Sequence, residues 1–430
     1  MEKLLFDLSK EGKAFKLLNG TNGAPIPRGR LSNFDFYKAA RIPYSRNHDC
    51  REVSTYGGAH CTDISALFPD FDADPEDPAA YDFCFTDQMI LTTLEAGTKT
   101  FFRLGETIEN KNKHYTSYPP KDFEKWAVIC EHVIRHYNEG WADGHHLDIE
   151  YWEIWNEPDM VIWGSESTWI GTLEQYFDLY EIAAKHLKAC FPNIKIGGPA
   201  STGWEPFCGQ FLEEMQKRNA PVDFLSWHNY GVTPDKMINR SKVMRDHMVR
   251  CGFEKAENIL NEWNYLKNWE DQFKYSIQSV AGLKGASFAL ACICAAQQCP
   301  IDMLMYYDTR PSSRFNGVFD FYSLEPRKCY YSLYWYGMFY DMAKEIPAEN
   351  EIENIYSLCG VSENGKVLST VTYFSDDDNA ADKQITLDFG KTGEYEIYLV
   401  DNKHNGELVD TTTDLTFTMK VHSMLLVKEK

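Results

Sequence analysis

Residues 149–159 read Ile149-Glu150-Tyr151-Trp152-Glu153-Ile154-Trp155-Asn156-Glu157-Pro158-Asp159, an aromatic run that ends in an amide, a carboxylate and a proline. In an extended chain successive side chains alternate, so Trp152, Ile154 and Asn156 share one side and Glu153, Trp155 and Glu157 the other. Pro158 cannot donate to a sheet ladder and turns the chain out of it. The stretch predicts a buried strand that presents Glu157 at a rim. Beside the aromatic Trp155 its carboxyl group would be partly desolvated, which raises its pKa and suits a general acid.

Seven further runs share this build: FKLLNG (15–20), RIPYSRNHD (41–49), TFFRLGE (100–106), IKIGGPA (194–200), DFLSWHNYG (223–231), NILNEWNY (258–265) and DMLMYYDTR (302–310). Helical spacing lies between them, over 123–137 and 173–190, and 280–299 is apolar enough for a buried helix. Strands alternating with helices predict parallel βαβ units. Nearly every strand ends in chemically rich residues: Asn19, His48, Arg103, Glu157, His228, Glu262 and Asp308. Polar groups spread over many strand ends favour a closed barrel, whose sites form there, over an open sheet with one crevice.

After Ala348 the pattern changes to β-branched runs, 365–374, 383–389, 394–400 and 415–428, separated by the turns ENG, KTG and HNG. The expected fold class is α/β, a (β/α)8 TIM barrel with a small C-terminal antiparallel β-sandwich. The expected boundaries are a barrel over 1–345 and a sandwich over 346–430, with residues 1–10 able to pair with the sandwich. The sandwich reads as a brace for the barrel. The Gly-, Pro- and Asp-rich stretch 56–83 reads as an ordered rim followed by a helix near 87–97, and the acidic run 376–378 as a solvated loop.

Acidic residues outnumber basic ones 64 to 43 across 430 residues, a net charge of −21. That excludes a general nucleic-acid binder, which needs a basic face. The most apolar stretch, 286–296, is too short to span a bilayer, so no membrane partner is expected. The start has no signal-peptide core, and a cytoplasmic location is expected. Twelve cysteines without a CxxC pair read as buried reduced thiols.

A second carboxylate, Glu262, ends the run ILNEWN (259–264). Two strand-end carboxyl groups facing across a barrel mouth fit glycoside hydrolysis. In the retaining version they stand about 5–5.5 Å apart, one as acid/base and one as nucleophile. The neighbouring Asn and Trp side chains supply the hydrogen bonds and flat faces a sugar needs. Tyr306 and Tyr307 end the eighth strand, where one should point inward as a sugar platform, and Tyr307 is the candidate.

WEIWNEPD followed by GGPA (197–200), SWHNYG (226–231) and LNEW (260–263) resembles the clan of retaining glycosidases on (β/α)8 barrels, and within it glycoside hydrolase family 39, which includes β-xylosidases and α-L-iduronidases. The resemblance implies Glu157 as acid/base and Glu262 as nucleophile. It implies that Asn156 bonds the sugar 2-hydroxyl, that Tyr230 of the His228-x-Tyr230 pair holds the nucleophile ionised, and that His48 binds sugar. FFRLGE departs from the family's pattern. The implied partner is an oligosaccharide or glycoside, most simply a β-xyloside, with no cofactor, and a homo-oligomer is allowed. An iduronide, arabinoside or β-glucoside stays open, as does a non-catalytic carbohydrate-binding barrel. Arg103 and Arg310 are the cations that could meet a uronic acid.

Metal readings are weaker. Asp70-x-Asp72-x-Asp74 imitates a calcium loop, but Pro75 replaces its glycine and Tyr81 its final glutamate. His132 and His136 have i,i+4 spacing, yet Val133 stands where a zinc protease needs Glu, so they read as a surface helix face. His145-His146 reads as an exposed turn. No phosphate-binding GxxxxGK[ST] loop and no GxSxG elbow is present.

Overall fold

The alternation of apolar runs and helices closes into a barrel. The computed structural model describes residues 2–50, 60–110 and 112–430. A short strand β1 (Glu2–Leu5) precedes the barrel strands β2 (Leu17–Asn22), β3 (Tyr44–Arg46), β4 (Lys99–Leu104), β5 (Tyr151–Ile154), β6 (Lys195–Ser201), β7 (Phe224–Gly231), β8 (Glu257–Tyr265) and β9 (Met303–Tyr306). They close in chain order with every neighbouring pair parallel. Each of the eight runs read from the sequence supplies one strand. The part of the expected rim at 56–59 lies outside the described residues.

Inside the barrel, Tyr44, Phe101, Tyr151, Phe224, Ile259, Met303 and Met305 form a separate buried cluster. Phe101 stacks on Tyr151 at 5.1 Å. A strand repeats its facing every second residue. The steps Tyr44 to Arg46, Tyr151 to Glu153 and Ile259 to Asn261 therefore lead from this apolar floor to a polar layer above it, also buried. The alternate faces pack outward: Trp152 stacks on Phe102 at 4.9 Å, within the larger core shared with the helices.

The helix Phe123–Asn138 is capped by Asp122, whose side chain accepts from Lys125 N. The helix Leu173–Cys190 starts from a reciprocal Thr172–Gln175 box, satisfying two otherwise orphaned donors. The 280–299 run supplies one buried helix, Leu283–Gln298, set off by a break at Gly282 from the shorter helix Phe273–Val280. His132 and His136 are buried, not on a surface face. Among the described residues, no single helix is long and apolar enough to cross a membrane.

The C-terminal strands are β10 (Lys344–Glu345), β11 (Ile355–Val361), β12 (Val367–Tyr373), β13 (Lys383–Asp388), β14 (Tyr395–Val400), β15 (Asn405–Thr412), β16 (Thr416–Met419) and β17 (Met424–Glu429). They form a six-stranded sheet, β10-β11-β12-β17-β14-β15, and a three-stranded one, β1-β13-β16. Side chains including Leu4, Phe6, Val371, Ile385 and Val427 share one core. All pairings are antiparallel except β1 with β13, which is parallel. The 415–428 run splits into two strands at a turn in which Ser423 N donates to Lys420 O and His422 takes φ 68°. β15 was invisible to hydrophobic patterning because most of its side chains are exposed.

Asp376 and Asp378 are not simply solvated. The buried Lys284 ammonium donates to Asp378 Oδ1 at 2.8 Å and lies 3.3 Å from Asp376 Oδ1, and Tyr265 Oη donates to Asp376 Oδ1 at 2.6 Å. Ser287 Oγ and Thr372 Oγ1, 2.7 Å apart, extend this junction between barrel and sandwich. Lys284→Ala leaves the two carboxylates without their shared cation. Its expected cost is about 2 kcal/mol, measured as a lower urea midpoint than that of the unaltered chain.

Candidate active site

The turn after β5 builds the first half of the site. β5 stops at Ile154, and both Trp155 (φ 73°) and Glu157 (φ 44°) are left-handed, a conformation side chains other than glycine rarely adopt. Trp155 N donates to Leu104 O at 2.7 Å and Glu157 N to Ala200 O at 2.9 Å, which fixes the turn to both neighbouring strands. Pro158 then opens the 3-10 helix Pro158–Trp163. Gly105, in FFRLGE, is required here: a Cβ would lie 3.1 Å from Trp155 Cα, and its own φ is +150°. Asp159 accepts from Thr202 N and from Thr202 Oγ1, the latter at 2.6 Å, tying the turn to the end of β6.

Because the backbone reverses, Trp155 does not face the Glu157 carboxyl. Its Nε1 donates to Thr168 O and its ring meets Trp169 edge-on at 5.0 Å, in the helical layer. The neighbour of Glu157 is instead His228 on β7, whose Nδ1 lies 2.6 Å from Glu157 Oε1. Burial raises the Glu157 carboxyl to about 7, opposed by the Arg46 charge and reinforced by Asp49. Burial likewise lowers His228 to about 4, so its imidazole is neutral at pH 7. A protonated carboxyl beside a neutral imidazole forms that short hydrogen bond with no buried charge.

Glu262, near the end of β8, has different company. Arg46 Nη1 donates to its Oε1 at 2.8 Å, and Tyr230 Oη to its Oε2 at 3.0 Å. Burial pushes this carboxyl up, while His228 and Arg46 oppose the rise. Only Glu262 takes a hydrogen bond directly from the guanidinium, which favours its ionised form. One oxygen of Glu157, one of Glu262 and a ring nitrogen of His228 all lie within 4.8 Å of one another. That close approach suits the retaining spacing of about 5–5.5 Å better than the about 6.5–9.5 Å that leaves room for a water between the carboxyl groups.

Glu157, Glu262, Tyr230 and Tyr307 line one cavity of about 660 Å³. His48, Asn156 and His228 are fully buried behind it. Asn156 Oδ1 accepts from Arg46 Nη2 at 2.7 Å. Its Nδ2, both ring nitrogens of His48 and Nε2 of His228 have no hydrogen-bond partner among the described residues, and His48 Nε2 lies 3.9 Å from Glu262 Oε1. Such buried donors and acceptors call for a polar ligand. Tyr306 instead packs edge-on against Trp263, leaving Tyr307 as the inward member of the pair. Tyr307 Oη donates to Asp49 Oδ2 at 2.5 Å, so Asp49 engages Tyr307 rather than His48. Arg103 donates to His48 O and to Asp63.

Sequence reading missed Arg46, which also donates to Glu153 Oε2 at 2.7 Å and Asn22 Oδ1 at 3.2 Å. The signal was an arginine at the end of a short strand, two residues after Tyr44. It also missed the cavity-wall tryptophans Trp163, Trp204 and Trp269, which sit outside the barrel strands and carry no spacing signal.

The sequence model described as Glycosyl hydrolases family 39 matches residues 23–294. The chain is 31% identical to a β-xylosidase of Caldicellulosiruptor saccharolyticus over 184 residues, 40% of this chain and 35% of that protein. It is 28% identical to a β-xylosidase of Geobacillus stearothermophilus over 220 residues, 48% of this chain and 41% of that protein. The matched segments thus span less than half of either relative. The crystal structure of a glucosidase from Croceicoccus marinus shares the fold, with a TM-score of 0.79 at 21% identity over 100% of this chain and 98% of that one.

The raised Glu157 carboxyl links stability to pH. Its folded pKa of about 7 exceeds the unfolded value near 4.5. The folded state therefore holds the extra proton between these values, and the contribution present below pH 4.5 is lost as pH rises through 7. Glu157→Gln removes that loss. The expected difference in pH dependence between the two proteins is about 3 kcal/mol from pH 4.5 to 8, read by urea denaturation. Asp159 is also raised to about 7, chiefly by burial; the Glu157 charge adds to that rise, so the variant loses this smaller part as well.

Proposed function

The chain belongs to glycosyl hydrolases family 39, and on that premise we propose that it is a retaining exo-glycosidase acting on β-linked xylosides. The observation that carries this reading is the pair of carboxyl groups with one oxygen of each within 4.8 Å of the other, one group raised to about 7 and the other bonded to a guanidinium. In the first step a Glu262 oxygen attacks the anomeric carbon while Glu157 gives its proton to the leaving oxygen and the glycosidic bond breaks. Glu157, now a carboxylate, takes a proton from water as that water attacks the same carbon and releases Glu262. Two inversions return the original anomer. Tyr230 steadies the nucleophile, and His228 holds the acid in place. Asn156 Nδ2 and His48 offer hydrogen bonds to the sugar.

The sugar class is supported by the likeness to two relatives named β-xylosidases. A neutral sugar also suits the arginines, while Lys236 on the cavity wall donates to Tyr230 O at 2.6 Å and has no carboxylate partner among the described residues. Arg46, Arg103, Arg240 and Arg310 are each committed to protein carboxylates, which leaves none of them to receive a uronic acid. Exposed Trp163, which meets Trp204 edge-on at 5.7 Å, offers flat surface for the leaving group.

The test is a panel of aryl glycosides: β-xyloside, β-glucoside, α-arabinoside, β-galactoside and α-iduronide. The β-xyloside is expected to turn over fastest, Glu262→Ala to be inactive on it, and NMR to show the β-anomer as first product. Another preferred sugar would overturn the substrate, and an α-anomer released first would overturn the mechanism. Glu157→Gln is expected to lower turnover on xylo-oligosaccharides by about 10²–10⁴-fold. It should spare the first-turnover burst of dinitrophenolate, which leaves without a proton, and slow the water step that follows, for which Glu157 is the base.

A further inference from the structure

Glycine and left-handed residues crowd the loop between the helix Phe123–Asn138 and β5. Ala142, Asp143 and Asp148 have φ between 52° and 56°, and Gly140 has φ 77°. His145 N donates to His136 O and Leu147 N to Tyr137 O, so the loop folds back along the helix that precedes it. The result is that His145 meets His136 and Asp87 of the helix Cys84–Glu95.

The three side chains are set as ligands would be. His136 Nε2 lies 3.0 Å from Asp87 Oδ1, and His145 Nε2 lies 3.4 Å from Asp87 Oδ2. Two donors at about 2.0–2.1 Å from one tetrahedral ion stand about 3.3 Å apart. The three ligand atoms all fall within 4.8 Å of one another. The Nε2 of His145 is buried with no hydrogen-bond partner among the described residues. His136 Nδ1 lies 3.0 Å from Trp141 O, the contact that fixes a tautomer with Nε2 free to ligate. Its ring is clamped face to face on Phe83 at 3.6 Å. None of these residues lines the active-site cavity.

We propose that Asp87, His136 and His145 bind a borderline divalent cation, Zn²⁺ by preference, with water completing the shell. Two imidazoles and one carboxylate suit zinc, whereas calcium and magnesium favour all-oxygen shells. The ion would staple the base of the Asp-rich rim to the helix and loop that lead into β5. Binding replaces a proton shared by His136 and Asp87, and no redox step is involved.

The test uses the full chain, stripped with EDTA and titrated with ZnCl₂ by calorimetry, with bound metal counted by mass spectrometry. The expected result is one equivalent bound and a raised melting temperature, with no shift from Mg²⁺ or Ca²⁺. His145→Ala, in a partly exposed loop, should weaken zinc by about tenfold or more and abolish the thermal shift. Asp87→Asn should do the same, and if it fails to fold His145→Ala decides alone. Equal zinc uptake by wild type and His145→Ala would overturn the site, as would no uptake by the wild type. The cluster would then be a His136–Asp87 ion pair.

Discussion

One guanidinium sets the level at which the barrel changes from hydrocarbon to chemistry. Arg46 is completely buried, and its hydrogen bonds reach Asn22 on β2, Glu153 on β5, Asn156 just after β5 and Glu262 on β8. Burying a charge is tolerable only when it is paired and hydrogen-bonded. Arg46 therefore obliges the barrel to bring carboxylates inward at the same height. Glu153, sealed below the cavity with Asn261 Nδ2 donating to it, balances the charge as a fixed counter-ion. Glu262 shares the guanidinium but faces the cavity, so the same contact that stabilises the interior also holds a nucleophile in register.

The opposite carboxyl is held by the opposite device. Among the described residues no arginine or lysine is hydrogen-bonded to Glu157. It stands on a left-handed residue, backbone strain of about 1–3 kcal/mol, maintained by main-chain bonds to β4 and β6 and by the burial of Trp155 among tryptophans. The strain turns the carboxyl toward His228, and the desolvation that follows keeps a proton on it near neutrality. Two glutamates of the same chemistry thus differ because β3 brings a guanidinium to one, while the turn after β5 and a neutral imidazole from β7 enclose the other. Such fixed dipoles need no reorganisation when charge develops on a ligand.

This explains what could be read from the sequence. All eight barrel strands were legible because parallel strands covered on both faces leave short apolar runs, and Glu157, Glu262 and Tyr307 were legible because they end those runs, whereas Tyr230 entered only through the family resemblance. Arg46 was not, since an arginine two residues after Tyr44 reveals its inward direction only when the barrel closes around it. Trp155 misled for a related reason: strict alternation puts it beside Glu157, and a left-handed residue sends it elsewhere. β15 lacked the alternation that exposes a half-buried strand. His132 and His136 looked like a solvated helix face because Tyr81 and Phe83, which help cover them, are distant in sequence, and because the loop that follows the helix folds back over it.

The outer parts of the molecule bear on the same two strands. β8 carries Glu262, and three residues later Tyr265 donates to Asp376 of the sandwich, beside the buried Lys284. β5 carries the turn of Glu157, and the loop that enters it is folded back onto the helix Phe123–Asn138 beside Asp87. A carboxyl pair is useful only at a fixed separation, and a small displacement is costly in rate. Gripping each strand near or behind its glutamate gives the barrel mouth a rigidity that hydrogen bonds between parallel strands alone do not supply. On this view the sandwich does not need to touch sugar to matter: its acidic loop steadies the end of the strand on which the proposed nucleophile stands.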